Sequence, residues 1–315
     1  MTDNTAQGAG RMLLAPGALW GLTCATRTNA LASGALQPIK TAHTTVTEAG
    51  IPFEVHVAEQ SPADAPAQPL KPAYVEEGFD PFLPYDPALY VADLSPTHVC
   101  LLNKFNVLDC HLLMVTRAFE HQETWLTLAD FEAMCLCLAE FEGLAFFNGG
   151  KTAGASQRHK HLQYVPLPLL PGGTGLPIAP ALDAVRWRGE FGATSVFPFA
   201  HALVRLDPAW LADPRDAAAR TMDRYWTLLE VAGIERGNDE RQSRAYNLLA
   251  TREWMLVIPR SQDAYEGIAV HGLGYAGSFM VWDEARLQLL RQSGPLSVLR
   301  AVGEPLPGES PQAAG

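Results

Sequence analysis

The residues best equipped for chemistry lie at positions 158–168, which read RHKHLQYVPLP. In an extended strand successive side chains point to opposite faces, so His159, His161 and Gln163 line one face while Lys160, Leu162 and Tyr164 line the other. Two imidazoles and an amide thus stand in one row. The preceding stretch 146–157, FFNGGKTAGASQ, is a loop of small residues whose glycines admit conformations other residues resist, and whose free backbone amides favour anions. An anion-accepting loop that delivers two histidines on a strand points to phosphate chemistry with an imidazole nucleophile. Two histidines at this spacing are also compatible with an exposed edge strand or with metal ligation. The neighbourhood of His159 supplies no Cys, Asp or Glu to complete a zinc set.

The run Gly149-Gly150-Lys151-Thr152 invites comparison with a phosphate-binding P-loop. That pattern requires a glycine where Ala145 stands and a helix directly after the lysine, and the histidine strand leaves no room for one. Lys151 is therefore read either as a phosphate contact outside a P-loop or as a solvated loop lysine.

The elements that must position this row can be traced on either side of it. Residues 98–105 (HVCLLNKF) and 111–117 (HLLMVTR) form two β-like runs separated by NVLDC, an antiparallel pair. Thr127 opens a helix with Asp130 three residues on as its capping partner. Leu128, Phe131, Cys135, Leu138 and Phe141 recur at helical spacing and are expected to face the core. Gly143 ends that helix, a strand follows, and the order becomes strand, strand, helix, strand, strand.

Around this block, 31–41 is turn-rich, and Val46 with 51–57 forms paired strands about the Glu48-Ala49-Gly50 turn, His56 being an ordinary strand residue. Residues 61–72 are a Pro/Ala-rich loop, and 79–89 continue irregular because of Pro81, Pro84 and Pro87. The Pro/Gly-rich stretch 166–180 marks a boundary. Beyond it come a strand-like 195–206, a helix from 214 to 232 with proline in its first turn, and a hairpin over 245–260 turning near Arg252 and Glu253. GIAVHGLGYAGSFMVW, a helix from Asp283 and a last helix from Pro295 complete the chain. Strands and helices without βαβ alternation indicate an α+β fold.

The division expected is a tail and lead-in over 1–30, a catalytic half over 31–170, a linker over 171–182, a second half over 183–303 and a tail over 304–315. A chain of 315 residues with net charge −11 and no lysine or arginine run argues against an extended nucleic-acid partner. No apolar run reaches the length of a membrane span. With no leader-like N-terminus and five cysteines lacking a CxxC spacing, a cytoplasmic protein with free thiols is expected.

Taken together, FFNGG, GASQ, HKHLQ, PLPL, NKFNVLDCHLLMVTR, YNLLATREWMLVIPRS and LGYAGS resemble the diadenosine tetraphosphate phosphorylases (ATP adenylyltransferases) of the histidine triad superfamily. The resemblance runs from about residue 31 to 303. Gln163 stands where hydrolase branches carry a third histidine, as in the transferase branches.

The resemblance implies a histidine-triad-like antiparallel sheet with helices in two associated halves. It also implies a reaction in which His161 attacks the α-phosphorus, expels ATP and holds AMP until inorganic phosphate collects it as ADP. His159 would fix His161, and Gln163 would offer its amide to a phosphate oxygen. Asn103, with Lys104 beside it, matches the ribose-contacting position, and Asn148, Gly154, Ala155, Ser156 and Gln157 match the phosphate site.

Here the chain departs from the family pattern in three places. His271-Gly272-Leu273 replaces Asn-Ser-Leu ahead of the GYAG run that ends at Ser278, and these four residues are carried over as substrate-binding. Trp282 stands where a lysine is common. A lysine near the first strands has no clean counterpart, because residues 58–72 diverge, and Lys71 is a candidate for it. The resemblance implies small-molecule partners (diadenosine tetraphosphate, phosphate, ATP, ADP), no nucleic acid or membrane, and no tightly bound cofactor, with Mg2+ entering as a nucleotide counter-ion. The rival functions are uridylyl transfer to a sugar phosphate, disfavoured because Lys160 replaces the proline of an HPH motif, and an idle nucleotide sensor.

Overall fold

The computed structural model describes residues 14–59, 80–169, 173, 175–306 and 308. The expected tail over 1–10, the loop over 61–72 with Lys71, and most of the C-terminal tail lie outside the described residues. The lead-in is more structured than its composition indicated. Leu19–Ser33 form a helix, α1, ending on Gly34 in the left-handed conformation (φ 76°). Its sequence has no apolar periodicity beyond Leu19, Thr23 and Ala30, which are its buried positions, so only packing against the rest of the chain shows it.

Next, β1 (Thr41–Glu48) and β2 (Ile51–Ala58) pair antiparallel through the expected turn, with Ala49 and Gly50 at positive φ. β3 (Tyr90–Asp93), β4 (His98–Leu102) and β5 (Leu112–Thr116) then form a meander. β3 lies just past the proline-rich stretch 79–89.

α2 (Leu128–Glu140) opens as predicted, the Asp130 carboxylate accepting the Thr127 N–H at 2.7 Å. Leu128 departs from the expected core stripe. It sits in the first turn and is 40% exposed, while Ala133, Met134, Leu136 and Cys137 join Phe131, Cys135 and Leu138 in the core. A helix buried on more than one side does not show its orientation through periodicity. β6 (Gly143–Asn148) and β7 (His161–Pro166) follow as an antiparallel pair.

In the second half, α3 (Ala179–Asp183) lies at the end of the expected linker, and Ile178 and Ala181 are buried, so the linker's end is part of the core. β8 (Arg186–Arg188), β9 (Phe191–Ala193) and β10 (Ala202–Arg205) repeat the meander. The strand expected over 195–206 is confined to its last third, since Pro198 has no N–H to give a ladder. α4 (Pro214–Val231) is capped by Asp213, and β11 (Tyr246–Ala250) and β12 (Trp254–Pro259) form the predicted hairpin. A small pair, β13 (Ala264–Tyr265) and β14 (Ile268–Ala269), precedes α5 (Gly272–Tyr275), β15 (Ser278–Val281), α6 (Glu284–Ser293) and α7 (Pro295–Val302).

One ten-stranded sheet runs through both halves in the order β3-β4-β5-β7-β6-β11-β12-β10-β9-β8. Each half has the same plan: three strands, a helix, then a hairpin folded back so that the fifth strand lies beside the third. The halves meet where β6 pairs antiparallel with β11, Asn148 opposite Asn247. The shared plan puts α2 and α4 on one face of the sheet, over a core that includes Met114, Phe131, Phe147, Leu162, Tyr164, Tyr225, Leu248 and Val257. The opposite face is covered by the three-stranded sheet β1-β2-β15 and the C-terminal helices, over Phe53, Phe146, Val165, Leu249, Ile258 and Leu299. The two halves differ in one decisive respect. β11 turns into β12 through residues 251–253, whereas β6 reaches β7 only after the loop 149–160, which gives the first half alone the loop expected to accept an anion.

Candidate active site

β7 has the alternation expected of it. Leu162 and Tyr164 point into the helix-side core, while His161, Gln163 and Val165 occupy the other face. His159 lies just before the strand, in a single bridge opposite His121, so the row continues on a connector and not on a regular ladder. Gln122 holds this junction. Its buried side-chain amide accepts the His161 N–H at 2.8 Å and donates to the carbonyls of Asn148 (2.9 Å) and His161 (3.1 Å). The amide substitutes for a missing strand neighbour and fixes the end of β6 to the start of β7.

Both histidines are buried, His161 4% and His159 1% exposed. His161 Nδ1 lies 2.8 Å from the His159 carbonyl oxygen. A carbonyl can only accept, so Nδ1 carries the proton and Nε2 keeps a free lone pair. Burial pulls His161 down to about 4, partly offset by that carbonyl, so the ring is neutral at pH 7. The ring of His159 is committed elsewhere: Nδ1 is 2.8 Å from Asp80 Oδ2, and Nε2 is 2.8 Å from the Thr116 carbonyl and 2.9 Å from its hydroxyl. His159 therefore orients His161 through its main chain, and its side chain anchors the connector. Phe82 packs on both rings, with centroids at 5.6 and 5.3 Å, and half-exposed Phe119 lies 5.4 Å from His159.

Gln163 is joined to Asn103 through a residue that the sequence reading did not single out. His111 Nε2 is 2.9 Å from Gln163 Oε1, and Asn103 Nδ2 is 3.3 Å from His111 Nδ1. Burial pulls His111 down to about 3, with the Gln163 hydrogen bond opposing, so it is a neutral ring. With both amides oriented as they stand, Asn103 donates to Nδ1 and Nε2–H donates to the Gln163 carbonyl, which leaves the Gln163 NH2 group uncommitted by this chain of bonds. The histidine opening the HLLMVTR run was the available signal.

The loop 149–160 turns through a short 3-10 segment, Lys151–Ala153, with no P-loop helix. Gly154, at φ 87°, approaches the 270–271 backbone so closely that a Cβ would meet Val270 O at 2.6 Å. Ala155 is buried, whereas Ser156 and Gln157 are half-buried and have no hydrogen bond to another described residue. Asn148 is fixed by Asn247 Nδ2 at 2.8 Å and the Gly272 N–H at 2.9 Å, both donating to its Oδ1. Arg260, 2% exposed, donates to the carbonyls of Ala153 (3.2 Å), Val270 (3.0 Å) and Val302 (3.0 Å), and to Asn247 Oδ1. It is a buried cation set behind the loop.

The expected residues within 271–278 divide between the support of Asn148 and the core. His271 caps α5, its Nδ1 accepting the Leu273 N–H at 3.3 Å, and burial together with the Arg260 charge pulls it to about 4. Gly272 is needed for its N–H and its small size, since a Cβ would lie 3.0 Å from Phe146. Leu273 packs in the core, and Ser278 pairs with Glu54 in the β1-β2-β15 sheet, so neither is brought to the His161 cluster by any described contact. Lys104 lies over the exposed Phe105 ring at 5.6 Å.

Behind the row, Lys160 is fully buried on the helix side. Its ammonium sits 2.7 Å from Asp130 and 2.8 Å from the Trp125 carbonyl, with Glu120 at 3.3 Å, and Asp130 also meets His98 at 3.2 Å. Burial would raise Asp130, but His98 and Lys160 outweigh it and hold the carboxyl well below its usual range.

The Ap4A phosphorylase N-terminal domain family matches residues 9–184. The chain belongs to this family. The ATP adenylyltransferase C-terminal domain family matches residues 195–305, so the two matches together take in both halves of the sheet. Diadenosine 5',5'''-P1,P4-tetraphosphate phosphorylase 2 of Saccharomyces cerevisiae is 29% identical over 237 residues, 68% of this chain and 72% of that protein. Among solved structures, yeast Ap4A phosphorylase Apa2 in complex with Ap4A matches with a TM-score of 0.71 at 24% identity, covering 91% of this chain and 97% of that one. Apa2 in complex with AMP matches at 0.72 and 23%, covering 94% and 100%. The family thus shares the architecture described above, with an α+β sheet and two matched halves. No helix among the described residues is long and apolar enough to cross a membrane.

Proposed function

We propose that the chain is a nucleotidyltransferase that phosphorolyses diadenosine tetraphosphate to ATP and ADP through a nucleotidyl-histidine intermediate. The observation that carries this is the state of His161, a buried neutral ring whose Nδ1–H is bound to a fixed carbonyl and whose Nε2 lone pair is free. Nε2 attacks the α-phosphorus, the bond to the bridging oxygen breaks, and ATP leaves. The adduct places positive charge on the imidazole, which the His159 carbonyl stabilises through Nδ1–H. Inorganic phosphate then attacks the same phosphorus and departs as ADP. The Gln163 NH2 donates to an oxygen whose charge rises in each displacement, and the Ser156 hydroxyl with the Ser156 and Gln157 backbone amides binds neighbouring oxygens, the glycine amides of the loop being engaged within the fold. No resident cofactor is invoked, and a divalent cation enters only as counter-ion of the polyphosphate.

The test uses substrate labelled at the α-phosphate. Without phosphate, wild-type protein should trap an acid-labile, base-stable adduct, and added phosphate should release it as labelled ADP. His161→Ala should form none. His159→Ala keeps the carbonyl that orients His161 and should retain measurable turnover. AMP and ATP released at the same rate with or without phosphate would make the enzyme a hydrolase and overturn the reading.

A further inference from the structure

Two cysteines outside the site are brought together by α1 and the turn before β5. Cys24 and Arg27 stand one turn apart on α1, on neighbouring positions of the same helix surface. The Arg27 guanidinium grips Asp109 through contacts of 3.0, 3.0 and 3.2 Å, and Cys110 is the next residue in the chain. The backbone reinforces this attachment just downstream of α1, Gln37 N–H donating to Lys104 O at 2.8 Å and Ile39 N–H to Asn106 O at 2.9 Å. Cys110 is held at φ 55°, and its thiol lies close enough to that of Cys24 for the two to interact electrostatically, as both do with the Arg27 guanidinium. All five cysteines are free; Cys100, Cys135 and Cys137 are buried in the helix-side core, while Cys24 is partly exposed.

We propose that Cys24 and Cys110 are a thiol modification site, a pair that closes to an intramolecular disulfide by exchange with a low-molecular-weight disulfide. Cys24, which reaches solvent, loses its proton and attacks one sulfur of the reagent, expelling one reagent thiol and forming a mixed disulfide. Cys110 then loses its proton and attacks Cys24 Sγ, expelling the second reagent thiol. Two protein thiols and one reagent disulfide become one protein disulfide and two reagent thiols, so atoms and electrons balance. Burial, with the neighbouring Cys24, pushes the Cys110 thiol up to about 11, so Cys24 makes the first attack and Cys110 reacts once the mixed disulfide is held beside it. Because α1 and the turn are already joined by the Arg27–Asp109 pair and the 37–39 backbone, the two cysteines are kept as neighbours before the bond closes, and closure then sets the side chains to the geometry a disulfide demands. The bond would fasten α1 to the turn that carries Asn103 and leads into His111.

The experiment treats the full native chain with oxidised glutathione and maps thiols by non-reducing proteolysis and mass spectrometry. Expected are the loss of two of the five titratable thiols, a linked peptide joining Cys24 to Cys110, and full reversal by dithiothreitol. Cys110→Ser should stop at a glutathione adduct on Cys24, whereas Cys24→Ser should give neither adduct nor link at Cys110. Wild-type protein that keeps all five thiols, links a different pair, or accumulates only an unlinked adduct overturns the proposal. Because the wild-type result stands alone, misfolding of a variant does not rescue it.

Discussion

If His111 sets which end of the Gln163 amide faces the substrate, replacing it should disturb catalysis without disturbing the nucleophile. In His111→Leu the Gln163 carbonyl loses the donor at 2.9 Å and Asn103 loses its acceptor at 3.3 Å. The amide then has little to choose between its two orientations, only one of which offers NH2 to the phosphate. A neutral hydrogen bond of this kind is worth about 0.5 to 1.5 kcal/mol. At about 1.4 kcal/mol per factor of ten, the ratio of productive to inverted amides should fall by about twofold to tenfold, which leaves about half of the population productive and lowers turnover by up to about twofold. Because the donor acts where charge rises in the transition state, the loss should fall on kcat and leave KM nearly unchanged. His111→Gln provides the control, since its NH2 can donate to Gln163 while its carbonyl accepts from Asn103, and it should recover most of kcat. Steady-state phosphorolysis assays alongside melting curves read both quantities. A folded His111→Leu enzyme with wild-type kcat would refute the relay, as would a His111→Gln enzyme no better than the leucine variant.

Turnover should hold nearly level as pH falls from 8 to about 5 and drop only toward 4, because burial keeps His161 neutral down to about 4, where an ordinary histidine would already be failing near 6.5; a pH–kcat profile that halves near 6.5 contradicts this. Stability should move in the same direction over a different window: the depressed values of His111 (about 3), His161 and His271 (about 4) mean that the unfolded chain binds protons first, so stability is complete above about 6.5 and declines toward pH 4. Urea titrations at pH 7 and 5 measure it. Ser156→Ala should reduce kcat/KM by about 1.5 to 3 kcal/mol, the range for a hydrogen bond to a charged group, with an unchanged melting temperature; a large melting shift with normal kinetics would make Ser156 structural. Asp130→Asn leaves the buried Lys160 ammonium with half-exposed Glu120 as its one charged partner among the described residues, at a cost of about 3 kcal/mol or more, and should lower Tm by about 6 °C or more. Adding Lys160→Met to that variant should restore part of the loss.

The sequence determined much of the local structure because local rules suffice for it. The alternation of HKHLQ assigned His161 and Gln163 to one face and Leu162 and Tyr164 to the other, Thr127 and Asp130 located a helix start, and residues 251–253 located a hairpin turn. The glycine-rich loop was legible for the same reason, since its conformational freedom resides in its own residues. What each functional side chain touches was not legible, because those contacts join residues far apart in the chain. Asp80 reaches His159, Gln122 holds both β6 and β7, Asn247 and Arg260 support the loop from the other half, and His111 connects Asn103 with Gln163. Tertiary structure also changed the role of His159, whose carbonyl and not its ring directs the nucleophile. It packed Leu273 into the core, paired Ser278 with Glu54 and turned Leu128 to solvent. Residue type and spacing fix which face of an element a side chain occupies; which partner that face meets is set by the pairing of β6 with β11, and no local pattern encodes that pairing.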